Sequence, residues 1–490
     1  MIQKSFFAAI IFVMICCLPK KQLDVAKIII HSAPPNSIIT ITLKQYLDDI
    51  DLAKMELDST GSGILDIELQ KPTIVLMQID KKYSELYLAP GYELAVTPYT
   101  DKPDKPMRYS GIGSDINNYI ASLSSLVEKI KWKNGEFIAR LDVKDFFIRF
   151  DSVKNCVTKF HSQFLDSIKL SKDLSQMLIK KNELELLLIR QQYLFFLQSE
   201  ALNAENNAIE NASSLKQSEL PIELKEVMNE VPFDTTLLNI GFDEYSMLLH
   251  YYLNNKIYNP NYDLKNWKKK QQYVFPITTN DLIAKSYYPN GIEEYLRAKN
   301  IQYWVKLQGI TPAIDSVIHN FKTDFKSSRY LSAIQKNYDE WLAISTGKIA
   351  PDFNGTTIEN ENISLKDLKG KVIYIDVWST WCAPCIEEIP FAKKLQGRFE
   401  GNNEVQFVNI SIDRDKEAWK NFLLSDKSWK GLHLHLQKKE KDMFWKNYKM
   451  FGVPTYMLID QTGRIINAKA LRPAEEGIEL QLRNLLSKKV

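Results

Sequence analysis

WSTWCAPCIEEIP, residues Trp378 to Pro390, decides how the C-terminal part of this chain is read. Two of the five cysteines stand three positions apart in it, between the apolar run VIYIDVW (Val372–Trp378) and a stretch of helical character. Cys382 therefore follows a buried strand and opens a helix. Unpaired N–H groups and the positive end of the dipole at a helix N-terminus favour thiolate over thiol. Cys385, one turn further in, can reach back to Cys382, the arrangement that reversible disulfide exchange requires.

A metal is the competing use of such a pair. Structural zinc takes four ligands, commonly a second CxxC or two histidines. The sequence has no second CxxC, and Cys156 stands alone in a helical stretch, where a free cysteine behaves as a small hydrophobe. His433 and His435 lie two apart in the strand-like LHLHL, share a face, and leave a Cys2His2 set open by count. The strand–helix junction is nonetheless a redox position and not a zinc knuckle.

Working outward, residues 346–490 alternate between strand and helix signals. Strand Val372–Trp378, helix Ala383–Phe399, strand Val405–Ile412 and helix Lys416–Leu424 come first. A helix around Asp442–Lys449, strand Tyr456–Asp460, a turn at Gln461–Arg464, strand Ile465–Ala470 and helix Ala474–Leu486 follow. That order implies an α/β layer architecture. The lead from Thr346 to Lys371 reads as a polar loop. Asp376 interrupts a strand otherwise buried on both faces; a buried carboxylate without a partner is costly, so it is expected to be a neutral acid or to serve the chemistry.

KGKVIYIDVWSTWCAPC, with FGVPTYMLID about seventy positions later and then TGRI, resembles the thioredoxin fold. The APDF lead and ISLKDLKGK are similar to the exported TlpA/ResA-type thiol-disulfide oxidoreductases, thioredoxin-like members of the AhpC/TSA-redoxin superfamily. The resemblance implies Cys382 as nucleophile, Cys385 as resolving cysteine, a disulfide between them, and Pro454 as the cis-proline beside it, with Val453 tuning substrate handling. It also implies that Asp376 is the proton acceptor beneath the resolving cysteine and that Glu388 is the glutamate of a CxPCxxE pattern. Glu387 is expected to face solvent. Trp378 and Trp381 bracket Cys382 and are expected to form a substrate platform, an ordinary core role for Trp378 remaining open.

Ahead of this module the texture changes twice. Residues 24–112 read as a small antiparallel sandwich, from apolar alternation at Ile39, Ile41 and Leu43, around Ile64–Leu69, and at Leu86, Leu88, Leu94 and Val96. LYLAPGYELAVT and YSGIGSDINNYI within it resemble the β-rich domain that precedes thioredoxin modules in some long bacterial members. Residues 113–345 read as all-α: Glu136 to Leu220 contains neither Gly nor Pro, and Met177, Leu184, Leu188 and Phe195 keep helical spacing. Lys4, an apolar block Phe6–Leu18 and then Pro19-Lys20-Lys21 read as a signal peptide over residues 1–18, too short for a comfortable membrane span, with an uncleaved membrane anchor as the alternative. Cys16 and Cys17 raise a lipid anchor, although Ile15 is not the small residue that lipidation prefers.

Composition narrows the remaining classes. A 490-residue chain that is 45% hydrophobic can bury several cores. Sixty-three Lys and Arg against 60 Asp and Glu give no electrostatic reason to expect nucleic acid. The basic run Lys265–Lys270 reads as a solvated face. Few cysteines in an exported protein of this size argue against a structural disulfide framework.

The expected protein is a three-part, periplasmic or otherwise extracytoplasmic thiol-disulfide oxidoreductase. It exchanges electrons with protein disulfides, such as those of an apocytochrome, is recharged by an upstream donor, and needs no cofactor or metal. Two rivals remain. A thiol peroxidase places Pro and then Thr or Ser ahead of its cysteine, but here Ile375 holds the first position and Ser379 the second. A surface-associated scaffold would instead work through residues 27–345, with the redox domain as an accessory.

Overall fold

The computed structural model describes residues 24–487 except 45–46, 48, 81, 99–105, 169, 207–220, 228, 258–277, 279–280, 282–283 and 286–287. The leader over 1–18 with Cys16 and Cys17 and the basic run 265–270 lie outside the described residues. Among the described residues, no helix is long and apolar enough to cross a membrane. The chain divides between Tyr252 and Leu253 into two units.

The first unit opens with eight strands: β1 (Asp24–Ile30), β2 (Ile38–Lys44), β3 (Asp49–Glu56), β4 (Gly63–Leu69), β5 (Thr73–Ile79), β6 (Lys82–Leu88), β7 (Glu93–Thr97) and β8 (Arg108–Ile112). They form two sheets, ordered β4-β1-β7-β8 and β3-β2-β5-β6, which share one apolar core. Alternation explains the sandwich. In β4, Leu65, Ile67 and Leu69 are buried while Asp66 and Glu68 are exposed. All pairings are antiparallel except β1 with β7, where Ile28 lies beside Leu94.

Helix α1 (Ser114–Lys131) is tied to the sandwich by buried Asn117, which accepts from Tyr87 N at 2.8 Å and donates to Tyr87 O at 2.9 Å. The Gly- and Pro-free stretch forms α2 (Val143–Ser167) and α3 (Lys172–Asn206). The chain leaves α2 at Ile168 in an extended conformation that no Gly or Pro announces. Short α4 (Ile222–Lys225) and α5 (Thr235–Ile240) lead to α6 (Asp243–Ile257).

In the second unit, α7 (Asn290–Gln308), α8 (Pro312–Asp324) and α9 (Leu331–Leu342) precede the α/β module. Arg297 of α7 is fully buried, and Asp281, Glu293 and Asp324 all accept from its guanidinium, so the charge is paired within the interior.

The first unit also holds a separate two-stranded hairpin, β9 (Trp132–Lys133) with β10 (Glu136–Phe137); the strands of the module are β11 (Asn354–Thr356), β12 (Asn362–Ser364), β13 (Val372–Trp378), β14 (Val405–Ser411), β15 (Leu432–His435), β16 (Thr455–Ile459) and β17 (Ile465–Asn467). Their order is β12-β11-β15-β14-β13-β16-β17, with β13, β14 and β15 parallel. All seven residues of β13 are buried, Asp376 included, as the apolar run around it predicts. Helices α10 (Ala383–Gly397), α11 (Lys416–Ser425), α12 (Lys438–Asn447) and α13 (Ile478–Ser487) complete the α/β thioredoxin-like layers. Val372 and Tyr374 of β13 share a core with Leu395 of α10 and with Ile478 and Leu482 of α13.

The lead before β13 is not a plain loop. β11 and β12 form a hairpin that extends the sheet through Thr356 opposite His435. Gly355 allows it, since a Cβ there would stand 2.8 Å from that of Leu434.

Candidate active site at the start of helix α10

Cys382 is the N-cap of α10, and its Sγ accepts from Cys385 N at 3.3 Å. The backbone carbonyl of Cys382 also accepts from Cys385 N and Ile386 N, so the first turn closes directly on the cysteine. Pro384 sits in that first turn, where a missing N–H costs nothing. The two sulfurs are joined in a disulfide, with Cα atoms 5.2 Å apart. Cys156 is a free, half-buried cysteine in α2, and burial pushes its thiol pKa up.

Both bonded cysteines are almost fully covered, at 5% and 3% exposure, whereas Ala383 and Pro384 are exposed and Trp381 is 67% exposed. The way to the pair therefore runs past the Trp381–Pro384 turn. Trp378, at 1% exposure, lies inside, packed with both cysteines, Ile389, Trp419 and Trp429. Its ring meets Trp429 edge-on at 4.8 Å and Phe422 at 5.2 Å. Such aromatic pairs each add ~1 kcal/mol beyond the area they bury. Val453 packs against the same cluster, and its bond to Pro454 is cis.

Asp376 projects from the face of β13 that carries Val372 and Tyr374, toward the core shared with α10. Its neighbours across the sheet are Asn409 and Tyr456. No described residue hydrogen-bonds its Oδ1. Burial, and secondarily the charge of Glu388, pushes its pKa up to about 8. Glu388 is three residues beyond Cys385 and on the same buried side of α10. It accepts from Ala474 N at 3.1 Å and faces Arg472 at 3.8 Å. Tyr374 and Tyr456 stack beside this acidic pair, and burial followed by the Asp376 charge raises both phenol pKa values. Glu387 is exposed.

Sequence reasoning missed Asp413. This buried carboxylate accepts from Thr380 N at 3.1 Å, Thr380 Oγ1 at 2.8 Å and Ser411 Oγ at 2.8 Å, and so holds the turn that presents Cys382. Its signal is SIDRD at the carboxyl end of a central parallel strand, where sites in α/β sheets collect. The two histidines serve backbone groups: His433 Nε2 donates to Trp429 O and His435 Nε2 to Asp413 O, each at 3.0 Å. Among the described residues no three His, Cys, Asp or Glu side chains are grouped to hold a metal ion.

Residues 345–482 match the Redoxin family. Thiol-disulfide oxidoreductase ResA of Bacillus thuringiensis (strain Al Hakam) is 30% identical over 139 residues, which are 28% of this chain and 78% of that protein. ResA of Bacillus subtilis (strain 168) is 30% identical over 124 residues, 25% of this chain and 66% of that protein. The thioredoxin domain of a thiol-disulfide oxidoreductase from Bacteroides vulgatus, solved by crystallography, is 31% identical; it covers 29% of this chain and 96% of that one, with a TM-score of 0.26. The chain belongs to the TlpA/ResA-type thiol-disulfide oxidoreductases, with a β-rich region and a helical region ahead of its redoxin domain.

Proposed function

We propose that this protein is an exported reductant of disulfides in partner proteins, working through Cys382 and Cys385. The observation that carries the reading is the Cys385 N–H donating to Cys382 Sγ at the start of α10, which would stabilise a thiolate on Cys382. That thiolate attacks one sulfur of the partner disulfide, forms a mixed disulfide and releases a partner thiolate. Cys385 then attacks Cys382 Sγ, closes the internal disulfide and releases the second partner thiol. Two electrons pass to the partner, and an upstream extracytoplasmic dithiol donor must return them.

Cys385 must lose a proton before it attacks. The buried carboxyl of Asp376, with Glu388 beside it on the Cys385 side of α10, is the assigned acceptor. Trp381 offers an exposed ring for the partner polypeptide, while Trp378 supports the pair from inside. Val453, which packs on the cluster holding both cysteines, and Pro454, joined to it by a cis bond, are assigned to the partner-binding side of the site. We assign the leader to 1–18, the β-rich part to 24–112, the helical part to 113–345 and the redox part to 346–490. Export rests on the basic and apolar leader pattern, and an anchor at Cys16 or Cys17 is compatible with it.

Trapping in the native cell tests this scheme. In Cys385→Ala the resolving thiol is gone, so dithiothreitol-sensitive complexes with partner proteins should accumulate in the extracytoplasmic fraction. Cys382→Ala should trap none. Complexes formed only through Cys385 would reverse the assignment of nucleophile and resolver, and complexes confined to the cytosol would remove the export reading.

A further inference from the structure

In the oxidised chain the disulfide itself fixes Cys382, because its Sγ is bonded to Cys385 inside the first turn of α10. Reduction removes that tether. Cys382 must then be kept at the N-cap by the turn that carries it, Ser379–Cys382. The turn closes on itself through Cys382 N, which donates to Ser379 O at 3.1 Å. Of its two central residues, Trp381 is 67% exposed, while Thr380 is held from outside the turn by Asp413.

Asp413 grips Thr380 at two points. Its carboxylate accepts from Thr380 N at 3.1 Å and from Thr380 Oγ1 at 2.8 Å. The carboxylate also accepts from Ser411 Oγ at 2.8 Å, and Asp413 N donates to that same oxygen at 3.1 Å. Asp413 O accepts from His435 Nε2 at 3.0 Å, and the preceding Ile412 N donates to Trp378 O at 3.0 Å. Three neighbouring strands thus place Asp413: β13 through Trp378, β14 through Ser411 and β15 through His435. Asp413, Ser411 and His435 are all buried, so little water competes for these bonds. A buried carboxylate that accepts three bonds is a firm anchor, and its bonds are of the charge-assisted kind.

We propose that Asp413 is a positioning residue for disulfide exchange, which keeps Cys382 at the N-cap of α10 once the disulfide is open and so favours the dithiol form. The inference rests on Cys382 as the attacking sulfur. In the disulfide form the S–S bond and the Asp413 clamp restrain the same turn, so losing the clamp changes its geometry little. In the dithiol the clamp acts without the S–S bond. Its loss there would let Cys382 drift from the Cys385 N–H and the positive end of the helix dipole, the groups that favour a thiolate. The effect therefore falls on one side of the redox equilibrium. A hydrogen bond with a merely structural role would support both sides alike.

The full-length chain and its variants can be equilibrated with glutathione, the dithiol and one glutathione disulfide giving the protein disulfide and two glutathione thiols. Thr380→Val deletes the hydroxyl bond at nearly constant shape, and Asp413→Ala deletes the whole clamp. The equilibrium constant for oxidation should rise at least about threefold in Thr380→Val and about tenfold in Asp413→Ala, the latter ~30 mV for a two-electron couple. Alkylation of Cys382 in the reduced chain should move to higher midpoint pH in both variants. Thr380→Ser, which keeps the hydroxyl, should restore the parent constant and the parent alkylation profile. Thr380→Val carries the test by itself where Asp413→Ala does not fold. A Thr380→Val chain with the parent's constant and alkylation profile would overturn the proposal and leave the dithiol reading intact. Equal loss of thermal stability in the two redox states, with no change in the constant, would do the same. A parent chain whose Cys382 and Cys385 do not exchange with glutathione would overturn that reading, and the proposal with it.

Discussion

Cys382→Ser should lower disulfide reduction by the full chain at least ~10³-fold while leaving the fold in place. The two halves of that expectation have separate causes. Serine is among the best N-cap residues, so its Oγ can take over the hydrogen bond that Cys382 Sγ accepts from Cys385 N, and α10 should start as before. An alcohol cannot form the mixed disulfide, however, and Cys385 is 3% exposed one turn inside the helix. Insulin reduction measured beside a thermal unfolding curve separates chemistry from folding. Retention of more than a tenth of the activity with an intact fold would place the nucleophile elsewhere.

The second large effect concerns Asp376 and depends on pH. Its folded pKa of about 8 compares with 3.8 for an ordinary aspartate, so between those values the native chain holds a proton that the unfolded chain has released. Stability must then fall as pH rises from about 4 to about 8, and above that the full cost, on the order of 5 kcal/mol, is present. Asp376→Asn cannot ionise, so it should be more stable than the parent at pH 9 by ~2–5 kcal/mol and differ little near pH 4. The same variant should remove an inflection near pH 8 from the rate at which Cys385 resolves a mixed disulfide. Glu388→Gln, which deletes the second cause of the shift, should move that inflection downward. Superimposable stability curves for Asp376→Asn and its parent would return Asp376 to a structural role.

The parts of this molecule that could be read from sequence are those whose signals are local. The apolar run Val372–Trp378 and the CxxC after it mark β13 and the start of α10, and α10 continues through Pro390, whose ring faces solvent. Alternation gave the buried face of β4, and Asp376 stood out as a carboxylate inside an apolar strand. What stayed hidden depends on partners distant along the chain. The β11–β12 hairpin is polar, and it joins the sheet because Gly355 can approach Leu434, 79 residues away across the register of Thr356 and His435. Asp413 meets Thr380 across 33 residues, and Glu388 meets Ala474 across 86. Such contacts leave no periodicity to detect. The exit from α2 at Ile168 is similar, since no Gly or Pro marks it.

Cys382 and Cys385 should form a reversible two-electron couple in a folded chain. Redox equilibration of the full-length protein against dithiothreitol and glutathione buffers, with peptide mapping of the thiols at each point, tests it most directly. One transition between roughly −270 and −120 mV is expected, assigned to the peptide bearing Cys382 and Cys385, with the fold retained in both states. A pair that stays oxidised until the chain unfolds, or a transition mapping to other cysteines, would contradict it.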